Sequence, residues 1–428
     1  MLLDFTVENF RSIKGAETLS AVAASKSKAK ASNSESGRRV KSDDEIAQPF
    51  HVEGWDIDVL PVIAIFGANA SGKSNILKAL DYLLNFMLLG NYDHGSELIP
   101  FKLDRQNIES PSCFKIRTVF DGTVYTYSLV LDSTQIFLEK LEYILASTKY
   151  SRLLFSRTWR EETKKFDWKN GTYFAGAHTQ LEKSLQEREP FISILSKLEI
   201  EVVKPFISWL EWGQYGVKWG YKEYDSAFIN MMWRESTLHS ELSEVLQNVK
   251  NLLIKFDTGL YDIEIRKAED NNKPYQIYAL HKIEDEVVHW RFEEESVGTQ
   301  KLFSLAYRMQ IMFLRSTLLI ADELGANVHP NIIREIVKLF QNPKTNPNHT
   351  QLIFNSHDNT LQRNNLLRRD QIWFTQKRPD QSTEVYPLSD FKVRNDLAID
   401  KAYLDGRFGA VPFISDEDDF SPVGEDNA

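Results

Sequence analysis

Gly67-Ala-Asn-Ala-Ser-Gly-Lys73-Ser74 is the stretch on which the fold turns. It satisfies G-x-x-x-x-G-K-S in full, and its context fits as well. The apolar run Val59-Leu-Pro-Val-Ile-Ala-Ile-Phe66 before it is dense enough for a buried parallel strand. Ser74-Asn-Ile-Leu-Lys-Ala-Leu80 after it opens a helix. Glycines let backbone N–H groups turn inward around phosphate oxygens, and the helix N-terminus adds a partial positive charge. The expected nucleotide-binding set is Gly67, Asn69, Ser71, Gly72, Lys73, Ser74 and Asn75. Lys73 would meet the β- and γ-phosphates, and the Ser74 hydroxyl would hold Mg²⁺. The expected ligands are therefore ATP and Mg²⁺.

Thr317-Leu-Leu-Ile-Ala321 reads as an apolar strand ending in Asp322-Glu323. Acids at the C-terminal end of a parallel strand stand where open α/β sheets place their ligands. Asp322 is expected to hold Mg²⁺, and Glu323 to polarise the attacking water. Ile353-Phe-Asn-Ser-His357 repeats the layout, and His357 could donate to the γ-phosphate. Upstream, Glu295-Ser-Val-Gly-Thr-Gln300 precedes a helical run from Leu302 to Phe313. Ser296 and Gly298, with Thr299, then mark a second helix N-terminus with N–H groups facing out. One chain does not need two anion sites. A head-to-tail pair does, because each chain can cap the nucleotide held by the other.

Further from the loop, residues 2–9 alternate as a strand. Cys113–Phe120 and Thr123–Leu131 flank Asp121-Gly122, a favoured hairpin turn. Leu181, Leu185, Ile194, Leu195 and Leu198 recur at helical spacing, as do Leu242 through Phe256, and Pro190 starts a helix within the first set. Six tryptophans between Trp159 and Trp233, with Tyr215, Tyr221 and Tyr224, fit the core of a small helical unit better than a base-stacking surface. Four parts result: 1–149, with the phosphate loop and an antiparallel lobe; a helical insertion at 150–258; 259–414, with the serine-glycine helix, the acidic pair and His357; and an acidic tail at 415–428. Residues 24–56 read as an excursion. The fold class is α/β: a P-loop NTPase of ABC type with a mixed central sheet, an antiparallel β subdomain and a helical insertion.

Bulk composition narrows the partners. The formal net charge of −10 gives no electrostatic case for general nucleic-acid binding, although a local basic groove is compatible with it. Cys113 is the single cysteine, too few for a disulfide framework or a zinc site. No apolar run reaches the roughly 18 residues of a membrane helix. A cytoplasmic setting is the simplest expectation.

Taken in order, Asn9-Phe-Arg-Ser12, the phosphate loop, Glu295-Ser-x-Gly-Thr, Asp322-Glu323, His329-Pro330 and Ser356-His357 resemble the ABC ATPases of the SMC, RecF and OLD type. The order is most similar to prokaryotic AAA-family ATPases of abortive-infection and phage-defence operons, including RloA/AbiL-like ATPases and the ATPase halves of PARIS and Septu. The closing Tyr403-Leu-Asp-Gly-Arg-Phe-Gly-Ala-Val-Pro-Phe413 looks like that group's final motif.

The resemblance implies a signature helix at Ser296, Gly298 and Thr299 acting in trans, Asp322 and Glu323 as Walker B and catalytic base, and His357 as switch histidine. Asn327-Val-His329 matches the dimer-contacting loop, although Gly325 departs from the usual aspartate, and Gln106 is a candidate for the Q-loop glutamine by order alone. It further implies a slow ATPase that forms a homodimer or a higher even oligomer. Such an ATPase would control a separate effector, a Toprim or RloB-like nuclease, since about 70 residues after His357 are too few for a Toprim domain. The alternatives are a RecF-like DNA-repair ATPase and a non-hydrolysing scaffold.

Overall fold

The computed structural model describes residues 1–24, 47–90, 98–172, 185, 188–195, 200–213, 217–219, 240–256, 258–267, 275–326, 328–363, 366–394 and 397–412. In chain order the first half contains β1 (Leu2–Glu8), β2 (Glu17–Ser20), β3 (Phe50–His51), β4 (Asp58–Val59), β5 (Val62–Gly67), α1 (Lys73–Leu89), α2 (Arg105–Glu109), β6 (Ser112–Phe120), β7 (Thr123–Leu131), β8 (Ile136–Leu145), β9 (Ser151–Arg160) and β10 (Lys165–Asn170). The second half contains α3 (Phe191–Leu195), α4 (Lys204–Gly213), β11 (Val217–Trp219), α5 (Ser240–Lys255), β12 (Asp262–Lys267), β13 (Tyr275–Ile283), β14 (Glu286–Arg291), α6 (Val297–Phe313), β15 (Leu318–Ala321), α7 (Pro330–Gln341), β16 (Gln351–Asn355), β17 (Ile372–Lys377), β18 (Thr383–Pro387) and α8 (Ile399–Leu404).

A six-stranded sheet in the order β11-β15-β16-β5-β17-β18 carries the site. It is parallel apart from the β17–β18 hairpin, which makes it mixed. All six residues of β5 are buried, because both of its faces are covered. Ile63 and Ile65 join a core with α1, α3, α4 and the antiparallel lobe. Val62, Ala64 and Phe66 join a second core with α5, α6, α7 and α8. The antiparallel lobe is a seven-stranded sheet, β10-β9-β8-β7-β6-β1-β2. Its β6–β7 turn has Asp121 and Gly122 both at positive φ, 46° and 69°, as the sequence predicts.

Buried polar side chains join the two sheets. Gln351 on β16 accepts from the Leu2 N–H at 2.6 Å and donates to the carbonyls of Leu2 and Leu60. Glu17 accepts from Arg378 and from the Val385 N–H. The motif Asn9-Phe-Arg-Ser12 is mostly scaffold. The Asn9 amide holds the carbonyls of Asn107 and Ser110, and Phe10 packs against Tyr82 and Phe114. The closing motif docks on the β17–β18 hairpin. Phe374 stacks on Tyr403 and Phe408, and Tyr386 donates to the Phe408 carbonyl at 2.7 Å.

The stretch 150–258 differs from the sequence reading. Ser151–Arg160 and Lys165–Asn170 are strands that extend the antiparallel sheet, not the start of a helical insertion. The polar segment Glu161–Lys164 is a hairpin tip, and Trp159 packs edge-on against Phe166 directly across it. The helical part of the stretch begins only after β10. The helices that follow serve two cores: Phe191, Phe206 and Trp209 belong to the first, Val249 and Leu253 to the second. Trp209 is 2% exposed, as the core reading expects. Leu181, Leu198, Tyr215, Tyr221, Tyr224, Trp233, Asn327, most of the 24–56 excursion and the acidic tail lie outside the described residues.

Candidate nucleotide site

The phosphate loop runs from β5 into α1. The helix begins at Gly72 with no side-chain cap and no acid in its first turn. An uncapped, unneutralised N-terminus presents its N–H groups to an anion. Gly72 has φ 109°, and a Cβ there would stand 2.1 Å from Thr383 Oγ1. Gly72→Ala is therefore expected to cost about 1–3 kcal/mol in stability and to weaken nucleotide binding. Thermal melting with and without ATP checks both.

Hydroxyl groups brace the loop from outside. Ser71 Oγ and Thr375 Oγ1 are 2.6 Å apart, and Thr383 Oγ1 donates to the Ser71 carbonyl at 2.8 Å. Ser12 Oγ lies 2.7 Å from Thr383 Oγ1 and accepts from the Asn75 amide at 2.6 Å. Asn75 thus faces the brace, and Asn69 is exposed on the loop. Lys73 folds back so that Nζ donates to the carbonyls of Gly67 and Ala68, both at 2.8 Å. Burial lowers the Lys73 pKa, and the charges of Glu323 and Asp322 oppose that shift. An arriving polyphosphate would add to the opposing charge and favour the ammonium form.

Because β16 lies between β5 and β15, its last residue separates the phosphate loop from the acidic pair. That residue is Asn355, which is fully buried. Its amide nitrogen donates to Asp322 Oδ1 at 2.6 Å and to Ser74 Oγ at 3.3 Å, and its oxygen accepts from the Glu323 N–H. Ser74 Oγ donates to the same Asp322 oxygen at 2.6 Å. Two hard oxygens so close suit Mg²⁺, which binds through one or two protein oxygens and completes its shell with water and phosphate. Among the described residues there is no cluster of three His, Cys, Asp or Glu that would favour a softer or fully protein-bound ion.

Glu323 sits in the left-handed region at φ 56°, which turns its exposed side chain off the end of β15. With Gly325, Pro330, Ile333, Ser356 and exposed His357 it lines a cleft of about 240 Å³. The structure brings Ser74, Asp322, Glu323 and His357 to one end of the sheet. Gly325, where the resembling enzymes carry aspartate, has φ 106°, and a Cβ there would come within 3.2 Å of Ile333. The backbone path itself asks for glycine. His329 caps α7 by accepting from the Asn331 N–H.

Ser296 is the N-cap of α6, as expected, but it caps its own helix. Its Oγ accepts from the Thr299 N–H at 3.1 Å and lies 2.9 Å from Thr299 Oγ1. One of the N–H groups expected to face outward is thereby satisfied, and Thr299 is buried. Ser296 remains exposed and Gly298 partly so. Ser296 and Thr299 hydrogen-bond to each other within this turn. Gln106 is exposed on α2, where its N–H bonds to Asp104.

The fold and this constellation define a P-loop ATPase of the ABC-type group. Residues 62–363 match the family described as "AAA domain, putative AbiEii toxin, Type IV TA system", and the chain belongs to that family. Among solved structures, an SMC head bound to the C-terminal winged-helix domain of ScpA aligns over 94% of this chain and 99% of its own, at 12% identity and a TM-score of 0.43. The Thermotoga maritima SMC head aligns over 90% and 98%, at 12% identity and a TM-score of 0.39. A Pyrococcus furiosus SMC head bound to the C-terminal domain of ScpA aligns over 95% and 98%, again at 12% and 0.39. No curated protein matches the chain. Among the described residues no helix is long and apolar enough to cross a membrane.

Proposed function

We propose that the chain binds and slowly hydrolyses ATP between two copies of itself, and that this cycle controls a separate effector in abortive-infection defence. The observation that carries the nucleotide and Mg²⁺ part of the reading is the junction at Asn355, which holds Ser74, Asp322 and the Glu323 backbone together; the two-chain part rests on the second helix terminus at Ser296. In this reading the α1 terminus and Lys73 hold the phosphates. Ser74 and Asp322 hold Mg²⁺, which when bound neutralises phosphate charge. Glu323 aligns and deprotonates water, and His357 donates to the γ-phosphate across the cleft. Ser296 and Gly298 of a second copy supply the remaining donors, with the buried Thr299 closing the turn behind them. Hydrolysis removes the shared phosphate contacts and loosens the pair. The family's description supports the defence setting. A Toprim or RloB-like nuclease as the effector rests on the sequence resemblance alone.

Lys73→Ala is expected to weaken ATP binding roughly hundredfold, because a charged hydrogen-bonding partner of the phosphates is lost. Titration with a fluorescent ATP analogue measures it. The deciding experiment is mass in solution with and without ATP and Mg²⁺, for the unaltered chain, Glu323→Gln and Ser296→Arg. The expected result is ATP-dependent pairing that Glu323→Gln strengthens and Ser296→Arg removes. A monomeric mass indifferent to ATP in all three would sink the two-chain site, whereas a paired mass indifferent to ATP would mean a constitutive assembly, to be retested by hydrolysis.

A further inference from the structure

We infer that His281 and Trp290 are positioning residues for the helix terminus carrying Ser296, and that they act through the Glu295 carboxylate. The inference rests on the two-chain reading above and assigns that site its support. β12, β13 and β14 form an antiparallel meander that leads through a single helical turn into α6. His281 on β13 and Trp290 on β14 are diagonal cross-strand neighbours, since their partners are Val288 and Ala279. Their rings stack at 4.1 Å and 12°.

Both rings aim a nitrogen at one oxygen. Glu295 Oε1 is 2.7 Å from His281 Nε2 and 2.9 Å from Trp290 Nε1. A carboxylate only accepts, which fixes the His281 tautomer with its proton on Nε2. The Glu295 side chain is 8% exposed and that of His281 18%. Burying a carboxylate is costly unless its oxygens are bonded, and an apolar residue would fill such a space at less expense. What the carboxylate adds is direction. It is attached to the residue immediately before Ser296, and the Glu295 carbonyl is held as well, accepting from the Gln300 amide at 2.8 Å. Side chain and main chain of Glu295 are thus both anchored, the first to the meander and the second to α6. Ser296 and Val297, both exposed, follow directly from this anchor. The donors that would meet the second copy's nucleotide are therefore aimed before the two copies meet.

The test compares Glu295→Leu, Glu295→Gln, His281→Ala and Ser296→Arg. Single-chain nucleotide binding is read with a fluorescent ATP analogue at protein concentrations below pairing. ATP turnover is read across rising protein concentration. Glu295→Leu is expected to bind nucleotide as the unaltered chain does. Its turnover falls about tenfold, and half-maximal turnover moves to higher protein concentration. Glu295→Gln keeps an acceptor oxygen and restores most of the rate, and His281→Ala lies between. The inference is overturned if Glu295→Leu turns over ATP normally while Ser296→Arg does not. It is also overturned if Gln fails as badly as Leu, or if Glu295→Leu loses single-chain binding. Normal turnover by Ser296→Arg would instead remove the two-chain reading, and this inference with it.

Discussion

Glu323→Gln is expected to lower ATP turnover by about 10²–10⁴-fold, the usual worth of a general base, if Glu323 has the role proposed above, while leaving single-chain nucleotide binding and melting temperature unchanged. The reason is geometric. Glu323 is presented by its backbone: its N–H is held by Asn355, and its φ of 56° turns it toward the cleft shared with His357. Glutamine keeps the size and the backbone demands of the residue but takes no proton from water. In the two-chain reading proposed above, the expected consequence is a pair that forms and does not dissolve. Single-turnover hydrolysis separates this from a binding defect. A Glu323→Gln chain with unaltered turnover would move the base to another group, and His357→Ala would be the next variant to measure.

Glu139→Ala is expected to destabilise the fold by about 3–5 kcal/mol, the cost of leaving one member of a buried ion pair alone. Glu139 and Arg157 are both fully buried. The Glu139 carboxylate accepts from Arg157 Nε at 2.8 Å, Tyr127 at 3.0 Å, and the N–H groups of Phe191 and Ile192 at 2.8 and 3.0 Å. It therefore joins three strands of the antiparallel sheet to the start of α3. Burial and the nearby Glu139 charge push the Tyr127 hydroxyl pKa well up, which keeps it a donor. Arg157 lies against Phe166 and Trp168 and donates to the Glu189 carbonyl. Urea denaturation should show the loss in Glu139→Ala and recover much of it in Glu139→Leu/Arg157→Met, where no charge is left unpaired. A loss below 1 kcal/mol in the single variant would mean that water reaches the orphaned guanidinium.

The phosphate loop and the Asp322 strand were legible because their chemistry leaves fixed residue types at fixed spacing between periodic segments. The antiparallel hairpin at Asp121-Gly122 was legible for the same reason: only a few residues accept two successive positive φ values. Asn355 was visible only as a small polar residue at a strand end. Its role depends on β16 lying between β5 and β15, and strand order is not written locally in a sequence. The braces at Ser12, Thr375 and Thr383 were hidden likewise, since each touches the loop from a distant part of the chain. The strands at 151–170 were missed for a different reason. Their aromatic residues satisfy a core reading in either secondary structure, and the polar tip between them carries no glycine or proline to mark a turn.

The order of strands also governs when the chain becomes competent. The Leu2 backbone is held by Gln351, 349 residues away, and Ser12 meets Thr383 across 371. β5 has no neighbour in its own sheet until β16 and β17 exist. At ribosomal speeds of about 5–20 residues per second, that interval is some tens of seconds. Throughout it the glycine loop is untemplated, and of the strand that leads into it only the face carrying Ile63 and Ile65 has its packing partners, while the face carrying Val62, Ala64 and Phe66 waits for α5 to α8. A nascent or truncated chain lacking residues beyond 350 thus lacks β16, β17 and the Asn355 junction beside the loop. Such slow closure of distant contacts makes this a protein that gains from chaperone shelter during its synthesis.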